Sequence, residues 1–241
     1  MQLLSLYPDR WKALANETAE WHFADGQHLR YRLFTVDCGE LWLKSGRLVA
    51  CDPLNGLQWR DNSELQLTPG KYRVVVTVAD ISDALDGSHL REAYLSLLLS
   101  EAPVAGWRFL SPAPPSVELP RLGDHEFIPV NIESGLIALA DADAIERLMP
   151  DPADSDWEWD LIDSGDEDAW VAQLDDAQHL RAGTANIALP NAEDGENLIL
   201  SQAGWGPGSY ALVGTYAADG TLTGVHIDLA VLPLAPLPEW D

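Results

Sequence analysis

At 241 residues with 46% hydrophobic content, the chain can bury a sizeable core and fits one large β-rich domain better than two small ones. It has no apolar run of about 18 residues, which argues against a membrane-spanning helix, and no basic region or small-residue cleavage pattern at its start, so no signal peptide is expected and the cytoplasm is the default location. The formal charge of −25 falls unevenly: residues 1–100 carry 13 acids and 10 bases, residues 101–241 carry 26 acids and four bases, a field that repels phosphate and excludes nucleic acid as a ligand.

Residues 8–21 read as a short helix capped by Asp9, with Trp11 and Leu14 along one side. His22, Asp25 and His28 follow close together, a spacing more typical of surface histidines in a loop than of metal ligands. Residues 29–36 and 40–49 predict two strands, with Arg30 and Arg32 alternating against Leu29, Tyr31 and Leu33. The second breaks at Ser45-Gly46 and leads to Asp52-Pro53, where Asp52 is extended and its carboxylate is expected to cap the next turn.

Pro69-Gly70 marks a turn, and residues 71–81 a strand with Tyr72, Val74, Val76 and Val78 on one side. Residues 91–100 and 107–110 read as paired strands around Pro103-Val104-Ala105-Gly106, and the proline-rich run 111–120 as an exposed connection. Residues 127–140 contain another expected strand pair around Glu133-Ser134-Gly135. Asp141 and Asp143 lie two apart; they suit either a hard cation or the cap of a helix over 144–148, with the cap favoured. Residues 170–180 predict a short helix, and 186–189 a return to β structure.

The strongest local statement lies in residues 201–232. Gly204-Trp205-Gly206-Pro207-Gly208 fixes an irregular loop, read as holding Trp205 against the end of a sheet. The runs 210–216 and 225–231 then form a hairpin through a two-residue turn at Asp219-Gly220. Counting outward pairs Leu212 with Ile227 and Tyr210 with Leu229 on a core face, and puts Ala211, Val213, His226 and Asp228 on the other. Ser201, His226 and Asp228 lack the elbow and oxyanion features of a hydrolase triad. Cys38 and Cys51 have no zinc spacing and read as buried thiols.

Residues 151–176 hold 11 acids, no lysine or arginine, and Trp157, Trp159 and Trp170. Solvating acidic tails are poor in aromatics, so this mixture reads either as a solubilising face or as a surface that docks a cationic partner. The candidate partner-binding residues are Asp154, Asp156, Trp157, Glu158, Trp159, Asp160, Asp163, Asp166, Glu167, Asp168 and Trp170. No cofactor or resident metal is expected.

Four motifs, in this order, carry a resemblance: Ser45-Gly46-Arg47-Leu48-Val49-Ala50-Cys51-Asp52-Pro53-Leu54, then Pro69-Gly70-Lys71-Tyr72, then the glycine-tryptophan-glycine loop, then the Tyr210 to Leu229 hairpin. Over residues 40–232 the chain resembles the bacterial domain of unknown function 4241 family. The resemblance implies a compact, mostly β domain and no established reaction. It also implies polar positions where this chain has Asn131, Ala203 and Pro207, which disfavours catalysis.

The expected architecture is therefore mainly β (β-rich α+β): a single domain of antiparallel sheets, sandwich-like or curved, with a few short helices. Residues 1–39 form an N-terminal extension, 40–232 the core with an acidic insertion at 150–180, and 233–241 a tail. The expected function is binding of a basic protein partner, in its specific form a bacterial immunity protein neutralising a cationic toxin. The alternative is a carboxylate- or metal-dependent hydrolase using Asp52, Asp141 and Asp228, which requires the three to meet in one pocket.

Overall fold

The computed structural model describes residues 11–23, 25–59, 64–112 and 127–233. Its strands are β1 (Thr18–His22), β2 (His28–Leu43), β3 (Arg47–Cys51), β4 (Glu64–Gln66), β5 (Gly70–Asp80), β6 (Leu90–Leu98), β7 (Gly106–Phe109), β8 (Val130–Ile132), β9 (Leu136–Asp141), β10 (Thr184–Ala188), β11 (Asn197–Gln202), β12 (Gly208–Tyr216) and β13 (Leu222–Asp228). Short helices are α1 (Gly56–Trp59), α2 (Ala142–Leu148) and α3 (Trp170–Asp175), with a π-helical turn at Glu158–Ile162. The architecture is mainly β, in two antiparallel sheets. One is a curled sheet ordered β1-β2-β5-β6-β13-β12-β7, with β8 also on β12; the other is ordered β10-β11-β9-β3-β4.

Strand alternation explains the layering. Val74, Val76 and Val78 of β5, Leu95 and Leu97 of β6 and Leu212 and Ile227 of the β12–β13 pair meet Leu48, Ile137, Leu139 and Ile199 of the second sheet in one buried cluster. The second sheet is buried on both faces. Its other side sends Val49, Ala138, Ala140, Leu198 and Leu200 against Ile145 and Leu148 of α2, Trp157 and Ile162 around the π-helical turn, and Trp170 and Leu174 of α3. This double burial accounts for the continuous apolar runs of β9 and β11.

The strand alternation expected along β5 and in the interior of the C-terminal hairpin agrees with the structure, whereas the N-terminal helix and two of the expected strand pairings do not form. No helix forms over 11–21: residues 11–17 are turns and bends and 18–22 are β1, while Asp9 lies outside the described residues. The two strands expected over 29–49 are the single β2 followed by β3. Their assumed gap is a bulge at Cys38-Gly39, where Gly39 has φ +80° and donates its N–H to Asp37. Strands β6 and β7 do not pair; the β13–β12 hairpin is inserted between them. Nor do β8 and β9 pair, because the turn at 133–135 carries the chain from one sheet to the other. The proline-rich run at 113–120 and the tail from 234 lie outside the described residues.

The C-terminal hairpin has the expected interior register, Leu212 opposite Ile227, although its turn is longer than expected. Ala217 and Thr221 close a loop in which Gly220, at φ +86°, donates to Ala217 O, and a compensating bulge near Thr215 restores the register. Tyr210 pairs with Val130 of β8. Trp205 does not plug the sheet: it is 54% exposed, with Arg91 over its ring and His89 at its edge. The loop is tight for another reason, since a Cβ on Gly204 would lie 2.6 Å from Leu229 O.

The outer face of the first sheet is covered as well. His226 is buried beneath Trp11, with ring centroids 4.7 Å apart, and its nitrogens contact Ser96 Oγ at 2.9 Å and Thr215 Oγ1 at 3.0 Å. Burial pushes the His226 pKa down to about 3. An unfolded histidine takes up its proton near pH ~6.5, so between these values the unfolded state binds more protons and stability falls with falling pH. Urea unfolding at pH 7.5 and 5.5 is expected to show a loss of about 1.4 kcal/mol from this group. A His226→Gln variant with the same loss would refute the assignment.

Candidate functional site

Eleven acids cover a lobe built on the helical face of the second sheet. Asp151, Asp154, Asp156, Glu158, Asp160, Asp163, Asp166, Glu167, Asp168, Asp175 and Asp176 are all exposed. Among the described residues no lysine, arginine or histidine lies within ion-pair distance of any of them. The lobe is anchored rather than loose. Trp157 and Trp170 are 5% and 3% exposed, packed with Ile162 and Leu174, and Trp157 Nε1 donates to Pro150 O at 3.0 Å. Their side chains face inward, so among the three tryptophans only Trp159, 67% exposed, presents its ring outward.

Several lobe acids also shape the backbone. Asp160 accepts from Ser155 Oγ at 2.8 Å and Asp156 N at 2.9 Å, and Asp151 from Ala153 N at 2.9 Å. Beside them an open groove of about 660 Å³ is lined by Leu54, Asn55, Pro152, Asp154, Asp156 and Glu158 among others. Carboxylates along an open groove that also has Leu54 and Pro152 in its lining suit extended cationic side chains, whose stems pack while their heads pair.

The three carboxylates of the enzymatic alternative do not converge. Asp52, 3% exposed, accepts from Leu54 N at 2.9 Å, Asn55 N at 3.4 Å, and Glu133 N and Ser134 N at 2.7 Å each. Asp141 is fully buried; it caps α2 through Ala144 N and accepts from Ser45 N and Oγ at 2.8 Å. Leu48, not Asp52, lies opposite Asp141, which puts about 13 Å of strand between them. Asp228 belongs to the other sheet and accepts from Ala230 N. Asp143 is held by Arg47, together with Glu64 and Glu146, so the Asp141-Asp143 pair serves a cap and an ion cluster. Ser201 lies in β11, in a different sheet from His226.

Two of the motifs behind the family resemblance, the 45–54 stretch and the glycine-tryptophan-glycine loop, are tied together through the 133–135 turn. Asp52 ties the end of β3 to the 133–134 turn, Gly135 O accepts from Ala203 N at 2.9 Å, and Tyr210 Oη reaches Ala203 O and Gly206 O. Ser209 Oγ donates to Asn131 at 2.8 Å. Backbone carbonyls and amides occupy this junction, and its work is to join the sheets.

Fold and surface together define a two-sheet β protein that carries an acidic helical lobe and in which Asp52, Asp141 and Asp228 lie apart. The chain matches the family described as protein of unknown function, DUF4241, over residues 41–227, and it belongs to that family. No curated protein and no solved structure matches it.

Cys38 and Cys51 are buried and unpaired. Burial pushes both thiols up, Cys38 to about 12, which keeps them protonated and unreactive. No helix among the described residues is long and apolar enough to cross a membrane.

Proposed function

We propose that the protein is an intracellular binding module that recognises a basic protein partner through the acidic lobe, in its specific form an immunity protein that blocks the cationic cleft of a toxin or effector. One observation carries the reading: eleven exposed carboxylates, without countercharge among the described residues, stand on a packed lobe around the exposed Trp159. Such a field speeds encounter with a cationic surface, and an aromatic ring held among the charges slows release. A solvating face needs neither the anchored frame nor the ring.

The test is affinity capture from native host extract at low and high salt, with the parent and an Asp154→Asn, Asp156→Asn, Glu158→Gln variant. Asp160 is left intact because it organises the turn. The parent is expected to retain one basic protein at low salt and the variant to lose it, with the association rate at low salt falling about tenfold or more. Equal capture by parent and variant, or capture indifferent to salt, would refute the reading.

A further inference from the structure

The hairpin at the edge of the first sheet carries a second constellation, independent of the acidic lobe. Glu17 and Leu33 exchange backbone hydrogen bonds of 3.1 and 2.7 Å, which fixes the alternation along β1 and β2. His22 opposite His28 and Glu20 opposite Arg30 therefore fall at non-hydrogen-bonded positions, where facing side chains come closest. All four share one face. Trp21 and Tyr31 lie on the other, with ring centroids 5.3 Å apart.

On that face the two imidazoles stack 4.3 Å apart and nearly parallel, at 5°. Both present Nε2 to the same oxygen: Glu20 Oε2 lies 3.9 Å from His22 and 3.7 Å from His28. Arg30 Nε holds the other oxygen, Oε1, at 3.4 Å and so turns Oε2 toward the rings. The ligand atoms of Glu20, His22 and His28 all lie within 4.8 Å of one another. Asp25, adjacent in sequence, takes no part; its carboxylate accepts from Gln27 N at 2.9 Å.

We propose that Glu20, His22 and His28 form a binding site for a borderline divalent transition ion of the zinc type. Tetrahedral zinc with bonds near 2.0–2.2 Å needs ligand atoms about 3.3–3.5 Å apart. The carboxylate–imidazole pairs, at 3.9 and 3.7 Å, therefore close by about half an ångström, while the two imidazole nitrogens, within 4.8 Å, close by up to about 1.5 Å as the stacked rings turn to converge their lone pairs. Exposed side chains on a rigid two-strand frame make that movement by side-chain rotations. Two imidazoles with one carboxylate select zinc, copper or nickel over magnesium and calcium, which prefer all-oxygen shells. Arg30 supports the carboxylate as an outer partner. Three protein ligands leave the remaining position to water or to a donor from another molecule.

The test is calorimetric titration of the untagged full chain with Zn²⁺, with millimolar Mg²⁺ present to occupy the surface carboxylates. The parent is expected to bind one equivalent, and His22→Ala and His28→Ala each to weaken that binding by about tenfold or more, with Glu20→Gln weakening it less. Cobalt as a probe adds a spectroscopic readout of coordination number in the parent that both histidine variants lose. The substituted side chains are exposed, so unchanged melting temperatures of the metal-free variants verify that the frame persists. Absence of Zn²⁺ uptake above the Mg²⁺ background, or equal uptake by parent and variants, overturns the proposal.

Discussion

Trp170→Ala is expected to destabilise the protein by about 3–5 kcal/mol, and Trp157→Ala by a similar amount, because each truncation leaves a ring-sized cavity between the second sheet and its helical cover. Trp157→Ala also leaves Pro150 O without its donor. Trp159→Ala, on the same lobe and two residues from Trp157, is expected to change stability by less than about 0.5 kcal/mol, since that ring is mostly exposed. Urea denaturation of the three variants separates the roles. A Trp159→Ala protein as unstable as Trp170→Ala would remove the distinction between anchors and outward ring on which the docking surface rests.

The second large effect is at Asp52. Alanine there is expected to cost about 2–4 kcal/mol, since the carboxylate takes four backbone N–H groups, two from the turn after it and two from the turn leading into β9. Asparagine is expected to be nearly as damaging. It matches the shape, but replaces one acceptor oxygen with an amide that faces donors. Denaturant unfolding of both variants decides the matter: an Asp52→Asn protein of parental stability would mean that the acceptor pattern is not what holds the junction.

Asp52 and Asp141 were legible in sequence because capping is local chemistry: one carboxylate before proline, the other just ahead of a short helix. The alternating faces of β5 and the hairpin interior were legible for the same reason, as period two is written residue by residue. Partners were not. Strands β6 and β13 pair across more than 120 residues, and no local signal distinguishes that neighbour from β7.

In the lobe, composition marked Trp157 and Trp170 as surface groups beside Trp159. The four-residue spacing of Trp170 and Leu174 held the contrary signal, one helical face turned to the core. Glu20 was missed through a related error. Proximity along a loop suggested Asp25, whereas counting by twos back from His22 along a strand reaches Glu20.

The order of strands in the first sheet has a consequence for the chain as it leaves the ribosome. Strand β6 has β5 on one side from the start, but its other edge waits for β13. At roughly 5–20 residues per second that wait is about 6–25 s, during which an apolar strand edge stays open. The amino-terminal half therefore emerges as an unfinished template, whose open edge is covered only once β13 has been made.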